Sequence, residues 1–365
     1  MGSTTTTLRH ILSQPKPVVP CKSKAFKNSK GDWPELRAAG VSLWTDFNLN
    51  NLNESYGHVL DLQIPDDLST PKPDQTFAAL EVTSPIDINH LIKWNDEMIN
   101  PTVDFARKYL NLHNGVFLST RVEAPDKSTL ARIKVGRAPV KLDHLIALDE
   151  YPSTNLVVGL GRPTSKFHAR ELADEPAKTS AERFWPMRQL ANLCEVAKTR
   201  YGYIQTNEDF LACCFSRNGP KSWKVAVMPI PWSRYGENQL TTDLALWWLS
   251  MLAMSSRQNR ILVKEEEMMR INNWELLNDE FGWVRRHTYS KFKEPTDPPP
   301  PPPYRPPSPD NAAGNAAVFA AHVGINADPL FDFNDFDLFV NPAEAVDMNG
   351  FNFNTPVDLN TANED

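Results

Sequence analysis

Basic side chains recur between positions 162 and 188, where they could line one phosphate-binding edge. They are Arg162, Lys166, Arg170, Arg183 and Arg188. Arginine and lysine bind phosphate groups through charge and hydrogen bonds, so one prediction is a positive groove for a nucleic-acid backbone. Acidic residues, among them Glu171, Asp174 and Glu182, lie between the basic ones. They favour the second interpretation, a mixed-charge surface exposed to solvent.

Carboxylates are the second group of candidate residues, because paired carboxylates could hold Mg²⁺ for hydrolysis. Asp143 and Asp149 share one face of a predicted strand, since strand side chains alternate with a period of two. Glu182 and Gln189 are seven residues apart and share one face of a predicted helix. Two simpler interpretations stay open. Asp143 could be a solvated acid at a strand end, and Glu182 could stabilise the first turn of its helix through the helix dipole.

Other site chemistries find no support in the spacing of residues. The four cysteines include no CxxC pair, which predicts neither a disulfide scaffold nor a zinc ribbon. His144 and His168 have no metal-like spacing to a cysteine or to a second histidine. The Gly159-Leu160-Gly161 segment resembles part of a phosphate loop, but Pro163 stands where the helix of a nucleotide-binding unit would begin.

Helical and extended patterns alternate along the chain and must position these residues. Apolar spacing of three and four residues predicts a helix over 87–112, bent at Pro101, and further helices over 180–198, 242–255 and 263–278. Runs rich in β-branched and aromatic residues predict strands over 115–122, 140–148, 155–160, 199–206, 210–216 and 223–230. This order predicts an α/β (α+β) fold with a mixed central sheet flanked by helices.

Four sequence blocks carry a resemblance to a known group. They are TNLVVGLGRPTSKF (154–167), FWPMRQLANLC (184–194), TRYGYIQTNEDFL (199–211) and TTDLALWWLSMLAM (241–254). In these blocks the chain resembles a group of fungal intracellular proteins whose body is similar to the PD-(D/E)xK restriction-endonuclease-like fold. The resemblance covers roughly residues 80–290 and implies a nuclease-like fold for the body.

The resemblance also implies a set of site residues. Members with an intact site carry a Glu on an early helix, an Asp on one strand, an acid-x-Lys motif on the next strand and a Gln on the following helix. Glu97 in KWNDEMINP matches the Glu, Asp143 in VKLDH the Asp, and Gln189 in WPMRQLANL the Gln. The segment Leu160-Gly161-Arg162 stands where the acid-x-Lys motif belongs.

The changed motif predicts a catalytically degenerate domain. Leu160 supplies no oxygen for a metal ion, and Arg162 stays protonated, so it cannot take over proton transfer from a lysine. Asp143 alone would hold Mg²⁺ only weakly, because hard cations need several oxygen ligands. The alternative is an active Mg²⁺-dependent nuclease in which Asp143 is the metal ligand, Glu182 is a migrated carboxylate, and Arg162, Gln189 and Glu97 complete the catalytic set.

Charge and composition divide the chain into segments. Residues 296–365 hold eleven acidic residues against one basic residue, a net charge of −10, which leaves +3 of the total of −7 for residues 1–295. All 10 tryptophans precede residue 295, so the core is predicted to end near there. We therefore predict a flexible basic arm over 1–30, a nuclease-like body over 31–294, a polyproline linker over 295–310 and a disordered acidic tail over 311–365.

The linker and tail predict partners of their own. Pro301, Pro302 and Tyr304 match the PPxY ligand pattern of WW domains. Pro300, Pro303 and Arg305 fit the PxxPx+ pattern of SH3 ligands. A stiff spacer is the alternative for this segment. In the tail, Phe and Asp alternate as in acidic activation segments, so a transcription-associated adaptor is a third functional hypothesis, against a tail without a partner.

Membrane insertion is not predicted. The most apolar run, over 244–254, has 11 residues, far fewer than the roughly 20 that a helix needs to cross a bilayer. The N-terminus lacks the apolar stretch of a secretory signal. We therefore expect an intracellular protein, cytoplasmic or nuclear.

Overall fold

A computed structural model of the chain describes residues 5–24, 28, 30–65, 68–73, 77, 80–112, 116–121, 133–135, 138–140, 142–150, 153–174, 176, 180–217, 219, 222–280 and 282–300. The chain divides after Pro299, and every element below belongs to the unit before that point. The partner motif at Pro301, Pro302, Tyr304 and Arg305 and the predicted acidic tail lie outside the described residues.

The described residues form both strands and helices. The strands are β1 Thr5–Thr7, β2 Val41–Leu43, β3 Gln63–Pro65, β4 Val116–Arg121, β5 Ile133–Val135, β6 Ala138–Val140, β7 His144–Asp149, β8 Thr154–Gly161, β9 Tyr201–Gln205, β10 Asp209–Arg217, β11 Trp223–Pro231, β12 Trp274–Asp279, β13 Gly282–His287 and β14 Lys293–Pro295. The α-helices are α1 Leu8–Leu12, α2 Leu49–Leu60, α3 Asn89–Leu110, α4 Ala169–Asp174, α5 Trp185–Ala197, α6 Thr242–Ser255 and α7 Arg257–Arg260.

A seven-stranded mixed sheet is the centre of the fold, in the order β2-β11-β10-β9-β8-β7-β4. Strands β4, β7 and β8 are antiparallel neighbours, β8 and β9 are parallel, and β9, β10 and β11 are again antiparallel. The parallel pair requires a crossover, and α5 lies in that connection. The prediction of a mixed central sheet flanked by helices is thus confirmed.

Hydrophobic residues pack in two clusters, which draw on alternate positions of the same strands. One cluster includes α3 and α6, and the other includes α5. The neighbours Cys213 and Cys214 belong to different clusters, as strand alternation predicts, and all four cysteines are free.

Helix α6 is the most deeply buried helix, and its predicted bounds of 242–255 are confirmed. Every residue from Thr242 to Met254 is buried. The side chain of Thr241 caps the helix by accepting a hydrogen bond from the Leu244 N–H at 3.2 Å. A helix that is apolar on all sides must be surrounded by protein. None of the described helices is long and apolar enough to span a membrane.

Residues 5–24 pack against the rest of the fold instead of belonging to the flexible arm predicted over 1–30. Leu8 and Leu12 of the short helix α1 are 0% exposed, and Val19 is 1% exposed. Strand β1 pairs with β3, and the backbone carbonyl of Pro20 accepts a hydrogen bond from Val82. These contacts join residues 5–24 to the main hydrophobic cluster. A five-residue helix is too short for a helical period to be visible in the sequence.

The helix predicted over 263–278 is also wrong. Only a 3₁₀ turn, Glu265–Glu267, forms there, and the segment continues into β12 of a three-stranded antiparallel sheet, β12-β13-β14. Pairing with β13 along Trp274–Asp279 outweighs the helix propensity of the preceding Glu and Met residues.

Candidate functional site

Three of the candidate site residues, Asp143, Arg162 and Gln189, meet at one end of the central strands β7 and β8. Asp143 immediately precedes β7, and Arg162 immediately follows β8. Because these strands are antiparallel, with His144 opposite Gly159, the start of β7 lies beside the end of β8. Gln189 reaches the same place from α5, which packs against β8.

Hydrogen bonds join these three side chains. The Asp143 carboxylate oxygen Oδ2 accepts the Gly161 backbone N–H at 2.8 Å and Arg162 Nη1 at 3.1 Å. Arg162 Nη2 donates to Gln189 Oε1 at 2.7 Å. The side chains of Asp143 and Arg162 are 27% and 20% exposed, so the ion pair is partly buried. The guanidinium therefore lies between the carboxylate and the amide, and its charge neutralises the acid.

The position at which the resemblance expects a carboxylate is occupied by Leu160 and is inaccessible to solvent. Leu160 is 1% exposed and belongs to the hydrophobic cluster on the α5 side of the sheet. Among the described residues, no group of three or more His, Cys, Asp or Glu side chains could hold a metal ion. With one carboxylate, already paired with Arg162, these residues do not fit Mg²⁺, which demands several oxygen ligands.

Lys166 lies close enough to Arg162 for the two charges to interact. Burial lowers the pKa of Lys166, and the neighbouring charge of Arg162 lowers it further. The Lys166 backbone N–H donates to Pro163 O at 2.8 Å, which forms a turn directly after the site. This turn adds a second cation beside the Asp143–Arg162 pair.

The other acidic candidates have different surroundings. Glu97 lies on α3, is 37% exposed and pairs with Lys93 at 3.5 Å. Glu182 lies in the 3₁₀ turn before α5, is 64% exposed and pairs with Lys30 at 3.9 Å. Asp149 is exposed at the far end of β7 from Asp143.

Most of the basic residues of the predicted groove have partners. Arg170 pairs with Asp209 at 2.9 Å, and Arg183 pairs with Glu171. Arg188 donates to the carbonyl oxygens of Trp33 and Pro34, each at 2.9 Å, and lies over the ring of Trp185. These contacts favour a structural role for the three arginines over a free phosphate-binding surface.

A buried polar cluster on the opposite face of the sheet was missed by the sequence interpretation. His144 is 0% exposed; its Nδ1 lies 2.5 Å from the Tyr203 hydroxyl and its Nε2 lies 3.5 Å from Asp96 Oδ1. Nearby, Asn95 Nδ2 donates to Gln205 Oε1 at 3.1 Å. The sequence signal for this buried cluster was the position of His144 directly after Asp143, because consecutive residues of an extended chain point to opposite faces of a sheet.

Tyr203 remains protonated in this cluster. Burial raises its pKa well above the usual range, and the negative charges of Asp96 and Asp143 act in the same direction, whereas the hydrogen bond with Asn95 opposes them. A protonated phenol is a hydrogen-bond donor and a poor nucleophile, so the cluster provides positioning rather than covalent chemistry.

The chain matches no protein-family model, no curated protein and no solved structure.

Proposed function

We propose that the folded body is a nuclease-like domain without nuclease activity, which acts as a binding or regulatory module. The observation that carries this proposal is the contact of the Arg162 guanidinium with Asp143 and Gln189. An internal cation takes the place beside Asp143 that a metal ion would need. Arginine remains protonated at all physiological pH values, so it cannot activate a water molecule as a base.

The order of the elements supports the nuclease-like part of the proposal. Along the chain, helix α3 carries Glu97, Asp143 directly precedes β7, residues 160–162 lie at the end of β8 and directly after it, and helix α5 carries Gln189. This is the order that the resemblance implies for an intact site. The burial of Leu160 supports the inactive part, because a carboxylate there would be inside a hydrophobic cluster.

We expect the purified full chain to cleave neither plasmid DNA, single-stranded DNA nor RNA with Mg²⁺ or Mn²⁺, because the site offers one neutralised carboxylate. Cleavage would be followed by gel electrophoresis, with Asp143→Ala and an active metal-dependent nuclease as controls. Metal-dependent cleavage that Asp143→Ala abolishes would contradict the proposal. If Glu182→Ala abolished it as well, the alternative of a migrated carboxylate would be supported.

We further propose that the polyproline segment supplies the module's partner contacts, through a WW or an SH3 domain. A polyproline helix docks at low entropic cost, because it is already extended before binding. In a peptide spanning 295–310, Tyr304→Ala should abolish WW binding, whereas Arg305→Ala should weaken SH3 binding. Titration against both kinds of domain separates the two partners. Equal, weak binding of all three peptides would leave the segment as a spacer and would remove this support for an adaptor.

A further inference from the structure

A cavity of about 380 Å³ opens at the other end of β9 from Arg162. The backbone N–H of Arg162 bonds to Gln205 at the end of β9, whereas the cavity is lined by Arg200 and Tyr201 at its start. Trp44, Tyr289 and Ile271 supply an aromatic and apolar part of its wall. The volume lies in the range of pockets that hold small molecules.

Arg200 is an unusual residue for such a wall. It is 2% exposed, and no carboxylate in the described part of the chain pairs with it. Its Nη2 donates to the hydroxyl oxygens of Tyr201 at 2.9 Å and Tyr289 at 3.1 Å, and its buried Nε has no partner. By contrast, the buried cations Arg9, Lys16 and Arg107 each pair with an aspartate.

The groups around Arg200 leave its charge uncompensated. Burial raises the pKa values of Tyr201, Tyr289 and Cys214, so all three remain neutral at physiological pH. A buried cation without an anion is costly, and a structural role could be filled at lower cost by an uncharged side chain. Such an arrangement is expected where a ligand brings the missing charge.

The rim of the cavity restricts the ligand. Arg270 adds a second positive charge, but Asp46 and Glu265 also line the cavity. Glu265 is itself paired with Lys224 at 2.5 Å. A polyanion such as a nucleic acid would bring many negative charges to these two carboxylates, whereas a ligand with a single carboxylate brings only one.

We propose that this cavity binds a small organic molecule with one carboxylate group, which pairs with Arg200, and an apolar or aromatic body, which packs on Trp44 and Tyr289. The site is separate from the Asp143–Arg162 pair, and the proposal does not depend on the activity of that pair. Carboxylate binding by a guanidinium uses charge-assisted hydrogen bonds, which are stronger than neutral ones.

The test is binding of three probes to the full chain at millimolar concentration: naphthalene-1-carboxylate, indole-3-acetate and hexanoate, each beside its uncharged amide. Ligand-observed NMR should show saturable binding of at least one carboxylate and about tenfold weaker binding of its amide, because the charged hydrogen bond is lost. Absence of saturable binding by all three carboxylates, or equal binding of acid and amide, would overturn the proposal.

Variants locate the binding. Arg200→Gln should weaken carboxylate binding about tenfold or more while unfolding at an unchanged or higher temperature, because it removes an unpaired buried charge. Ala226→Leu should block the cavity by volume alone, since Ala226 lines it and is partly exposed. The exposed Arg257→Gln is the matched control and should bind as the wild type does. Unchanged binding in Ala226→Leu would place the probe elsewhere and overturn the proposal, even if Arg200→Gln failed to fold.

Discussion

Replacing Lys16 by alanine should lower the free energy of unfolding by about 3–5 kcal/mol, because it leaves the Asp243 carboxylate buried without its cation. Lys16 Nζ lies 2.8 Å from Asp243 Oδ1, and the two side chains are 0% and 3% exposed. When one member of a buried pair is removed, the other member stays out of water and no longer has a partner that offsets the cost of its desolvation. The loss would be measured by urea unfolding at neutral pH.

Several groups hold this pair in place. Lys16 Nζ also donates to the Thr242 hydroxyl and lies 4.2 Å from the centre of the Trp232 ring. Trp94 Nε1 donates to the same Asp243 oxygen at 3.0 Å. Burial lowers the pKa of Lys16, and the charge of Asp243 opposes that change. The pair therefore fixes the N-terminal segment to the first turn of α6.

Lys22→Ala is the matched control, since it removes a lysine from the same segment. Lys22 pairs with Glu81 at 2.7 Å but is 72% exposed, so its loss should cost less than about 1 kcal/mol. Lys16→Met combined with Asp243→Leu should recover much of the stability lost by Lys16→Ala, because neither charge is then left alone. If Lys16→Ala were as stable as Lys22→Ala, the buried pair would not anchor this segment.

Long periodic elements were predictable, whereas short ones were not. Helix α6 has enough turns for its apolar character and its Thr241 cap to identify both ends. Lys16 lies between Pro15 and Pro17, and the segment around it shows no period. Its burial follows from contacts with residues far along the chain, two of them more than 200 positions away. Strand β12 was mistaken for a helix because its partner β13 was not assigned from the sequence.

The resemblance implied Asp143 and Gln189 as site residues and placed Arg162 in the segment that replaces the acid-x-Lys motif. The sequence could not show that Arg162 would point at Asp143, because that depends on the register of β7 against β8 and on the rotation of α5. His144 illustrates the other limit, since burial of a histidine requires partners, here Asp96 and Tyr203, on two other elements.

Gly159 is a further position whose role became visible only in the structure. Its sequence context, Gly159-Leu160-Gly161, resembled part of a phosphate loop, but the residue instead makes room for a neighbouring side chain. A Cβ atom on Gly159 would lie 2.5 Å from Tyr203 Cε1 and 2.6 Å from its hydroxyl oxygen. Tyr203 cannot easily move away, because it stacks on Phe210 with ring centres 4.8 Å apart and contacts His144.

Gly159→Ala should therefore destabilise the protein by about 1–3 kcal/mol or more, since an added methyl group in a packed core forces neighbours out of their preferred positions. The matched control is Gly57→Ala in helix α2, where the nearest atoms to a new Cβ lie 3.8 Å away. That control should be neutral or stabilising by up to about 1 kcal/mol, because alanine favours the helix more than glycine does. Both variants would be compared by urea unfolding.

The contact with Tyr203 can be isolated by a double-mutant cycle. Tyr203→Leu removes the atoms that the new methyl group would meet, so the cost of Gly159→Ala should shrink in that background. Circular dichroism would follow the unfolding of all four proteins in the cycle. If Gly159→Ala cost the same with leucine as with tyrosine at position 203, the close approach of Tyr203 to β8 would not be the reason that this position carries glycine.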